Sequence, residues 1–492
     1  MKLLEQIQHY GRVTPNAPAY RFKGQTLTYA QLCERADRIA RQILHKQPQN
    51  RSPIAVFGGK SLLMLLCFVA CMKAGRAYLP IDCGTPPQRI QRMLALAGAG
   101  LVLATDDFSA KYCPVWSSEE LWRLAEQEAP QLSLNPVSGG DIAYIIFTSG
   151  STGDPKGVRV TADNLDGFLD WSASLTKGQI YLNQSPFSFD LSVMSLYTPL
   201  YWGGCSVSVD YGADTDFSAL FTHLSNSKAE VWVSTPSFAK LCLFEGSFTE
   251  ALLPRMHTFL FCGEPLQPAT VEELFLRFPR CRILNTYGPT EATVAVTSVE
   301  ITREMCGATS LPAGRAMPGT ALQILNQDGT LVPNGEKGEV AILGGSVAAG
   351  YVQPGSSRFD CFGELPRYRT GDLGRLQGDM LYLEGRSDDQ LKYHGYRVEL
   401  GDIEANLLRL PYVAQAAVLP KMRGGQVQSL TAFAVLRQGE PDLGFATAQR
   451  IRADLKHLLP GYLVPRRIVL LKELPLTENG KLNRNKLREQ ID

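Results

Sequence analysis

Short apolar runs of strand length alternate with amphipathic helical stretches through most of this 492-residue chain, and that alternation restricts it to an α/β architecture. The runs are Ile54-Ala55-Val56-Phe57, Gly100-Leu101-Val102-Leu103-Ala104, Val231-Trp232-Val233, Thr258-Phe259-Leu260-Phe261 and Arg282-Ile283-Leu284. Several are followed by Gly, Ser or Thr and then a helical pattern, the signature of parallel strands joined by crossover helices. Thr85-Pro86-Pro87 ahead of Ile90, Met93 and Leu94 is one such helix start, with proline where its missing N–H does no harm.

A chain of this length exceeds one compact core, so two or three domains are expected. From about Gly314 the pattern turns to short strands with turn signals at Asp328-Gly329 and Asn334-Gly335, which predicts a β-rich subdomain over about 314–384. The last hundred residues change again. A strand is expected over Leu391 to Val398, then a helix from Asp402 with Ile403, Leu407 and Leu410 on one face. Strands at Ala416 to Leu419 and Leu430 to Leu436 follow, then a helix from Thr447 bearing Ile451, Leu455 and Leu458. The expected organisation is a large N-terminal body, 1–387, of βα-layered subdomains plus the β-rich subdomain, and a small mobile α+β C-terminal domain, 388–492.

Composition excludes several classes. Basic and acidic residues balance at 49 and 48, so nothing points to nucleic acid as a partner. The longest apolar run, Leu62 to Met72, is too short to cross a bilayer and predicts a buried core helix; membrane insertion is not expected. The amino terminus lacks the apolar region of a signal peptide, which with eleven scattered cysteines and no Cys-x-x-Cys pair predicts a cytoplasmic protein without a disulfide framework. Six scattered histidines offer no transition-metal motif.

Two glycine-rich stretches carry chemistry. Ile142, Tyr144, Ile145, Ile146 and Phe147 read as a buried parallel strand, so Thr148-Ser149-Gly150-Ser151-Thr152-Gly153-Asp154-Pro155-Lys156-Gly157 emerges at a strand's C-terminal end, where anions are held. Glycines admit backbone N–H groups to phosphate oxygens, hydroxyls add donors and Lys156 adds charge. The common P-loop needs Ser or Thr directly after Gly-Lys, and Gly157 stands there instead, so another nucleotide-using superfamily is implied. The second stretch, Leu476-Thr477-Glu478-Asn479-Gly480-Lys481, holds a lysine that composition alone would leave solvated.

Six segments taken in order resemble the adenylate-forming superfamily of acyl-CoA synthetases, luciferases and amino-acid adenylation domains. They are the 147–157 loop; Phe189-Asp190-Leu191-Ser192; Asn285-Thr286-Tyr287-Gly288-Pro289-Thr290-Glu291; Tyr368-Arg369-Thr370-Gly371-Asp372; Gly385-Arg386-Ser387-Asp388-Asp389-Gln390-Leu391-Lys392; and Asn479-Gly480-Lys481. The resemblance implies ATP and Mg²⁺ as cofactors, attack of a carboxylate on the α-phosphate, and transfer of the acyl group to a thiol. Lys481 is then the catalytic cation, reaching both the substrate carboxylate and the ribose-phosphate region. Tyr287 faces adenine, Thr290 and Glu291 point at the triphosphate with Glu291 on the metal, and Asp372, read as a turn residue, accepts the ribose hydroxyls. Arg386 and Asp388 match the hinge on which the small domain rotates; outside the family they would be a surface ion pair.

In the amino-acid-activating branch an aspartate pairs with the substrate's α-ammonium group, and Asp190 occupies that place. A carboxylate amid Phe187, Phe189, Leu191 and Val193 calls for a cationic partner. Within the branch, the segments Asn183 to Met194, Val231 to Phe238, Phe261-Cys262-Gly263-Glu264 and Asn285 to Ile301 are similar to those of D-alanine:carrier-protein ligases. That similarity places Cys262 by the substrate's α-carbon and Val294 against its side chain. It implies D-alanine as substrate and a separate phosphopantetheinylated carrier protein as acceptor, since the chain ends shortly after Lys481. Another small amino acid, L-alanine, glycine or L-proline, loaded on a carrier for secondary metabolism is the alternative, and a non-catalytic nucleotide-binding regulator is a rival of another class.

Overall fold

A computed structural model describes all of the chain except residues 48, 111–112, 151, 177, 211–215, 394, 424–425, 440–443, 477–481 and 492. Lys481 and Ser151, both expected in the site, lie outside the described residues. Two compact units emerge: residues 1–83, 96–146 and 157–387 form the first, and residues 84–95, 147–156 and 388–492 the second.

The first unit is built on two largely parallel sheets and one antiparallel sheet. In the six-stranded sheet Ile54–Phe57 lies between Leu101–Ala104 and Tyr78–Ile81, all parallel, with Ile142–Thr148 beside Tyr78–Ile81. The nine-stranded sheet runs Ile180–Asn183, Val231–Ser234, Thr258–Phe261 and Arg282–Tyr287 side by side and parallel, with Cys205–Ser208 on the other flank of Ile180–Asn183. These strands are buried on both faces, which is why they read as unbroken apolar runs. Helix Leu62–Lys73 is buried along its whole length, as its uniform hydrophobicity predicts. Thr320–Leu325, Gly338–Gly344, Phe359–Phe362, Leu365–Gln377 and Met380–Arg386 make the antiparallel sheet of the expected β-rich segment.

The second unit carries a three-stranded sheet in which Val413–Arg423 pairs antiparallel with Gln426–Leu436, itself parallel to Arg467–Leu470. Ile403 and Leu407 of helix Leu400–Leu408, and Ile451 and Leu455 of helix Phe445–Leu455, are buried in its core. Leu410 and Leu458 reach the same core from beyond the helix ends rather than on the helices. The single strand expected over Leu391 to Val398 is instead a hairpin of Gln390–Tyr393 and Tyr396–Glu399, reversed around Gly395 at φ +84°. Among the described residues no helix is long and apolar enough to cross a membrane.

Candidate active site

In the first unit, strand Arg282–Tyr287 leads into a tight reversal that returns as Thr297–Ile301, antiparallel to it. Gly288 is required there, because a Cβ would sit 2.5 Å from Ala295 Cα. A short 3₁₀ turn, Thr290–Ala292, is followed by Thr293 and Val294 at φ +58° and +71°. Two β-branched residues in the left-handed region store roughly 1–3 kcal/mol of strain each and persist only where neighbours fix them. Here the Thr293 hydroxyl donates to Ser346 O at 2.8 Å, Val296 N to Tyr287 O at 2.8 Å and Ala348 N to Glu291 O at 2.9 Å.

That reversal touches two of the residues expected at the amino-acid site. Thr290 Oγ1 donates to Asp190 Oδ2 at 2.7 Å, and Cys262 Sγ lies 3.9 Å from Val294 O. Cys262 and Val294 are buried, and Asp190 is half-buried at the start of helix Leu191–Tyr201 with buried Phe187, Leu191 and Val193 around it in the chain. Asn285 donates to Pro312 O at 2.7 Å and Thr286 to Phe261 O at 2.8 Å, so these two side chains brace the strand ends.

The Tyr287 hydroxyl donates to Asp372 Oδ2 at 2.7 Å, and Arg386 pairs with the other oxygen of the same carboxylate. Asp372 sits within strand Leu365–Gln377, not in the expected turn; Gly371, at φ +75°, bends the strand without ending it. Burial first, and the adjacent Asp372 charge second, hold the Tyr287 phenol well above its usual pKa, so it donates throughout the physiological range. Arg386 also donates to Thr370 O at 3.0 Å, and its salt bridge to Asp372 is mostly buried rather than a surface pair. Asp388 Oδ1 accepts from Gln390 N at 3.3 Å. Glu291 is fully buried, and Tyr351 donates to its Oε1 at 2.5 Å.

The loop expected to hold phosphate belongs to the second unit, where residues of that unit engage it. Lys156 Nζ meets Glu399 Oε1 at 3.1 Å, and Ser149 Oγ donates to Arg397 O at 2.8 Å while accepting from Glu399 N at 3.1 Å. Gly150 is needed because a Cβ would lie 2.1 Å from Asp154 O. Asp154, the acid within this loop, is held by Arg92 at 2.7 Å and Arg409 at 3.2 Å, and the Arg92 hydrogen bond foremost keeps its carboxyl below the usual range. Nearby, Arg89 and the fully buried Asp402 form an ion pair at 3.1 Å. Thr148 closes strand Ile142–Thr148, and Thr152 and Gly153 continue the loop; Asn406 donates to Gly153 O at 3.5 Å.

The chain is an enzyme of the adenylate-forming class and belongs to the AMP-binding enzyme family. That family's model matches residues 7–352, and the model of the AMP-binding enzyme C-terminal domain matches residues 402–481. Relatives from Bacillus cereus (strain AH187) and Bacillus mycoides (strain KBAB4) are each 40% identical over an alignment of 503 residues spanning 100% of this chain and of theirs, and both are named D-alanine--D-alanyl carrier protein ligase. The Vibrio cholerae adenylation domain AlmE in complex with glycyl-adenosine-5'-phosphate is similar in structure, with a TM-score of 0.82, 25% identity and coverage of 100% of this chain and 97% of that one. So is PA1221, an NRPS protein containing adenylation and PCP domains, with a TM-score of 0.82, 26% identity and coverage of 99% and 97%.

Two groups of residues escaped the sequence reading. Glu399, the partner of Lys156, lies 243 positions away and no local pattern marks it. Lys60 and Asp82 are half-buried ionisable groups at strand ends of the first unit; Gly58-Gly59-Lys60-Ser61, directly after an apolar strand, is a signal of the same kind as the 147–157 loop and could have drawn attention to Lys60.

Proposed function

We propose that this enzyme activates D-alanine with ATP, forming D-alanyl-AMP and pyrophosphate, and then passes the D-alanyl group to the phosphopantetheine thiol of a separate carrier protein in the cytoplasm. The full-length similarity to ligases named for that reaction carries the reading, and the joining of Asp190, Cys262 and Val294 through one strained reversal supports it. In the first step an amino-acid carboxylate oxygen attacks the α-phosphorus and the bond to pyrophosphate breaks. In the second a thiolate sulfur attacks the activated carbonyl and AMP leaves.

Each residue has a role under this reading. Asp190 meets the substrate's α-ammonium group, which supplies the cation a carboxylate in apolar surroundings needs. Cys262 lies by the α-carbon, and Val294 limits the side chain to about a methyl. Thr148, Ser149, Gly150, Ser151, Thr152, Gly153 and Lys156 receive the triphosphate, at which Thr290 also points, and Tyr287, with Asn285, Thr286 and Gly288, frames the adenine side. Asp372 takes the ribose hydroxyls, Arg386 orients Asp372, and Lys481 neutralises the charge that builds where carboxylate meets phosphate. Residues 1–387 and 388–492 act as the two domains, with Asp388 at the hinge.

Glu291 suits Mg²⁺, since it is a buried hard-oxygen donor. Bound there with the nucleotide, Mg²⁺ would supply charge neutralisation at the phosphates.

Pyrophosphate exchange with D-alanine, L-alanine, glycine and L-proline tests the reading. D-Alanine is expected to give the highest kcat/KM; a clear preference for any of the other three replaces it, and ATP binding without exchange for all four defeats the enzymatic role.

A further inference from the structure

Lys60 and Asp82 stand at the C-terminal ends of two adjacent parallel strands, Ile54–Phe57 and Tyr78–Ile81, in the first unit. The Lys60 ammonium donates to Gln184 O and, at 2.6 Å, to Val209 O. Those carbonyls lie one residue beyond Ile180–Asn183 and Cys205–Ser208, themselves neighbouring parallel strands, so one side chain fastens two strand ends at once. Asp82 accepts from the Ser188 hydroxyl. Between these two anchors, Phe187 is buried edge-on against Phe68, with ring centroids 5.4 Å apart. The segment 184–190 is therefore held at its start by Lys60, in its middle by Phe187 and near its end by Asp82, and Asp190 comes two residues after the last anchor.

Such anchors are costly to keep. Burial pushes Lys60 down to about 8, against the pull of Asp210 and Asp82, and pushes Asp82 up to about 6, against its hydrogen bond from Ser188 and the Lys60 charge. A lysine whose only task was solubility would sit in water. An ammonium given two backbone carbonyls fixes the backbone that carries them, and no group in the proposed chemistry uses either residue.

We propose that Lys60 and Asp82 are positioning residues for amino-acid recognition, fixing the 184–190 segment so that the Asp190 carboxylate is held where the substrate ammonium arrives. The proposal rests on the role given to Asp190 above. A displacement of about 1 Å in a site can cost on the order of a hundredfold, so losing an anchor should be read in the substrate whose ammonium Asp190 meets and not in the nucleotide.

The test is pyrophosphate exchange by the full-length enzyme carrying Lys60→Met, Lys60→Arg, Ser188→Ala or Asp190→Ala, with KM measured separately for D-alanine and ATP and the melting temperature recorded for each. Lys60→Met is expected to raise KM for D-alanine about 10- to 100-fold with KM for ATP within about twofold, and Lys60→Arg, which keeps a donor for both carbonyls, to recover part of that loss. Ser188→Ala is expected to raise KM for D-alanine about 5- to 10-fold by releasing the Asp82 anchor alone. Equal rises in both KM values, or an unchanged KM for D-alanine in Lys60→Met while Asp190→Ala loses activity, overturns the proposal. An unaffected Asp190→Ala instead overturns the role of Asp190 itself. Should Lys60→Met fail to fold, Ser188→Ala decides: an unchanged KM for D-alanine overturns the anchor and a selective rise supports it.

Discussion

Replacing Glu399 by glutamine asks what the phosphate loop gives up when nucleotide binds. Glu399 Oε1 takes both Lys156 Nζ at 3.1 Å and Gln390 Nε2 at 2.6 Å, so a phosphate that claims Lys156 displaces a carboxylate already bonded to it. The free energy of that pair is subtracted from the affinity for ATP. The lysine side chain is 29% exposed and the glutamate 7%, a half-buried pair. Exposed pairs are worth about 0.2–1 kcal/mol, and breaking a buried one costs about 3–5 kcal/mol, so this one falls near 1–2 kcal/mol. Glutamine keeps the volume and an acceptor for Gln390 while removing the charge. At about 1.4 kcal/mol per factor of ten, Glu399→Gln lowers KM for ATP in pyrophosphate exchange about 5- to 30-fold and leaves KM for D-alanine unchanged. Calorimetric titration with ATP checks the same number without turnover. A KM for ATP equal to or above that of the unsubstituted enzyme refutes the reasoning, because Lys156 would then not be shared between carboxylate and phosphate.

Asp190→Ala removes amino-acid-dependent exchange by roughly a hundredfold or more while ATP binding persists, on the scale of a lost buried charge partner; unchanged turnover would exclude the ammonium role. Val294→Ala widens the pocket by two methyl groups, and since each methylene discriminates by about 1–3 kcal/mol, the preference for D-alanine over D-2-aminobutyrate falls at least about tenfold in kcat/KM. Lys481→Ala abolishes pyrophosphate exchange but leaves thioester formation from ready-made D-alanyl-AMP largely intact, and equal loss of both counts against the role given to Lys481. Asp82, raised to about 6, contributes stability at low pH that is lost as pH rises from about 4 through 6, whereas Lys60, lowered to about 8, contributes stability above its ordinary value of about 10.5 that is lost as pH falls through 8. Urea denaturation across pH 4–10 therefore shows both slopes, and Asp82→Asn removes only the acidic one.

The α/β body was legible because its strands are buried on both faces, and a strand with no wet side must be written as an unbroken apolar run such as Val231-Trp232-Val233. The loop at 147–157 and the buried core helix at Leu62–Lys73 were legible for similarly local reasons. Thr-Gly-Asp has the composition of a turn, yet pairing with Met380–Arg386 keeps the strand running through Gly371 to Asp372. The hairpin at 390–399 looked like one strand because only Gly395 interrupts it. Nothing in Thr293-Val294 foretells positive φ, since β-branched residues are the least suited to it; the conformation is imposed by Ser346 and Ala348, some fifty residues later. Long-range partners of charge, Glu399 for Lys156 and Asp82 for Ser188, are set by topology and leave no local trace.

One physical theme joins these positions. The ionisable groups proposed to meet ligand are already satisfied by groups of the protein: Asp372 by Tyr287 and Arg386, Asp190 by Thr290, Glu291 by Tyr351, and Lys156 by Glu399. Leaving such charges without partners would cost several kcal/mol each in a partly buried setting, so the resting protein gives each an internal hydrogen-bond or ion-pair partner. Ligand binding is then an exchange of partners rather than the filling of bare charge, which keeps affinity modest and ties it to the strength of the internal contacts. At Lys156 the internal partner, Glu399, bears a charge, so the incoming phosphate gains only the difference. Under the proposed reading, Lys156 is therefore built for release as much as for capture.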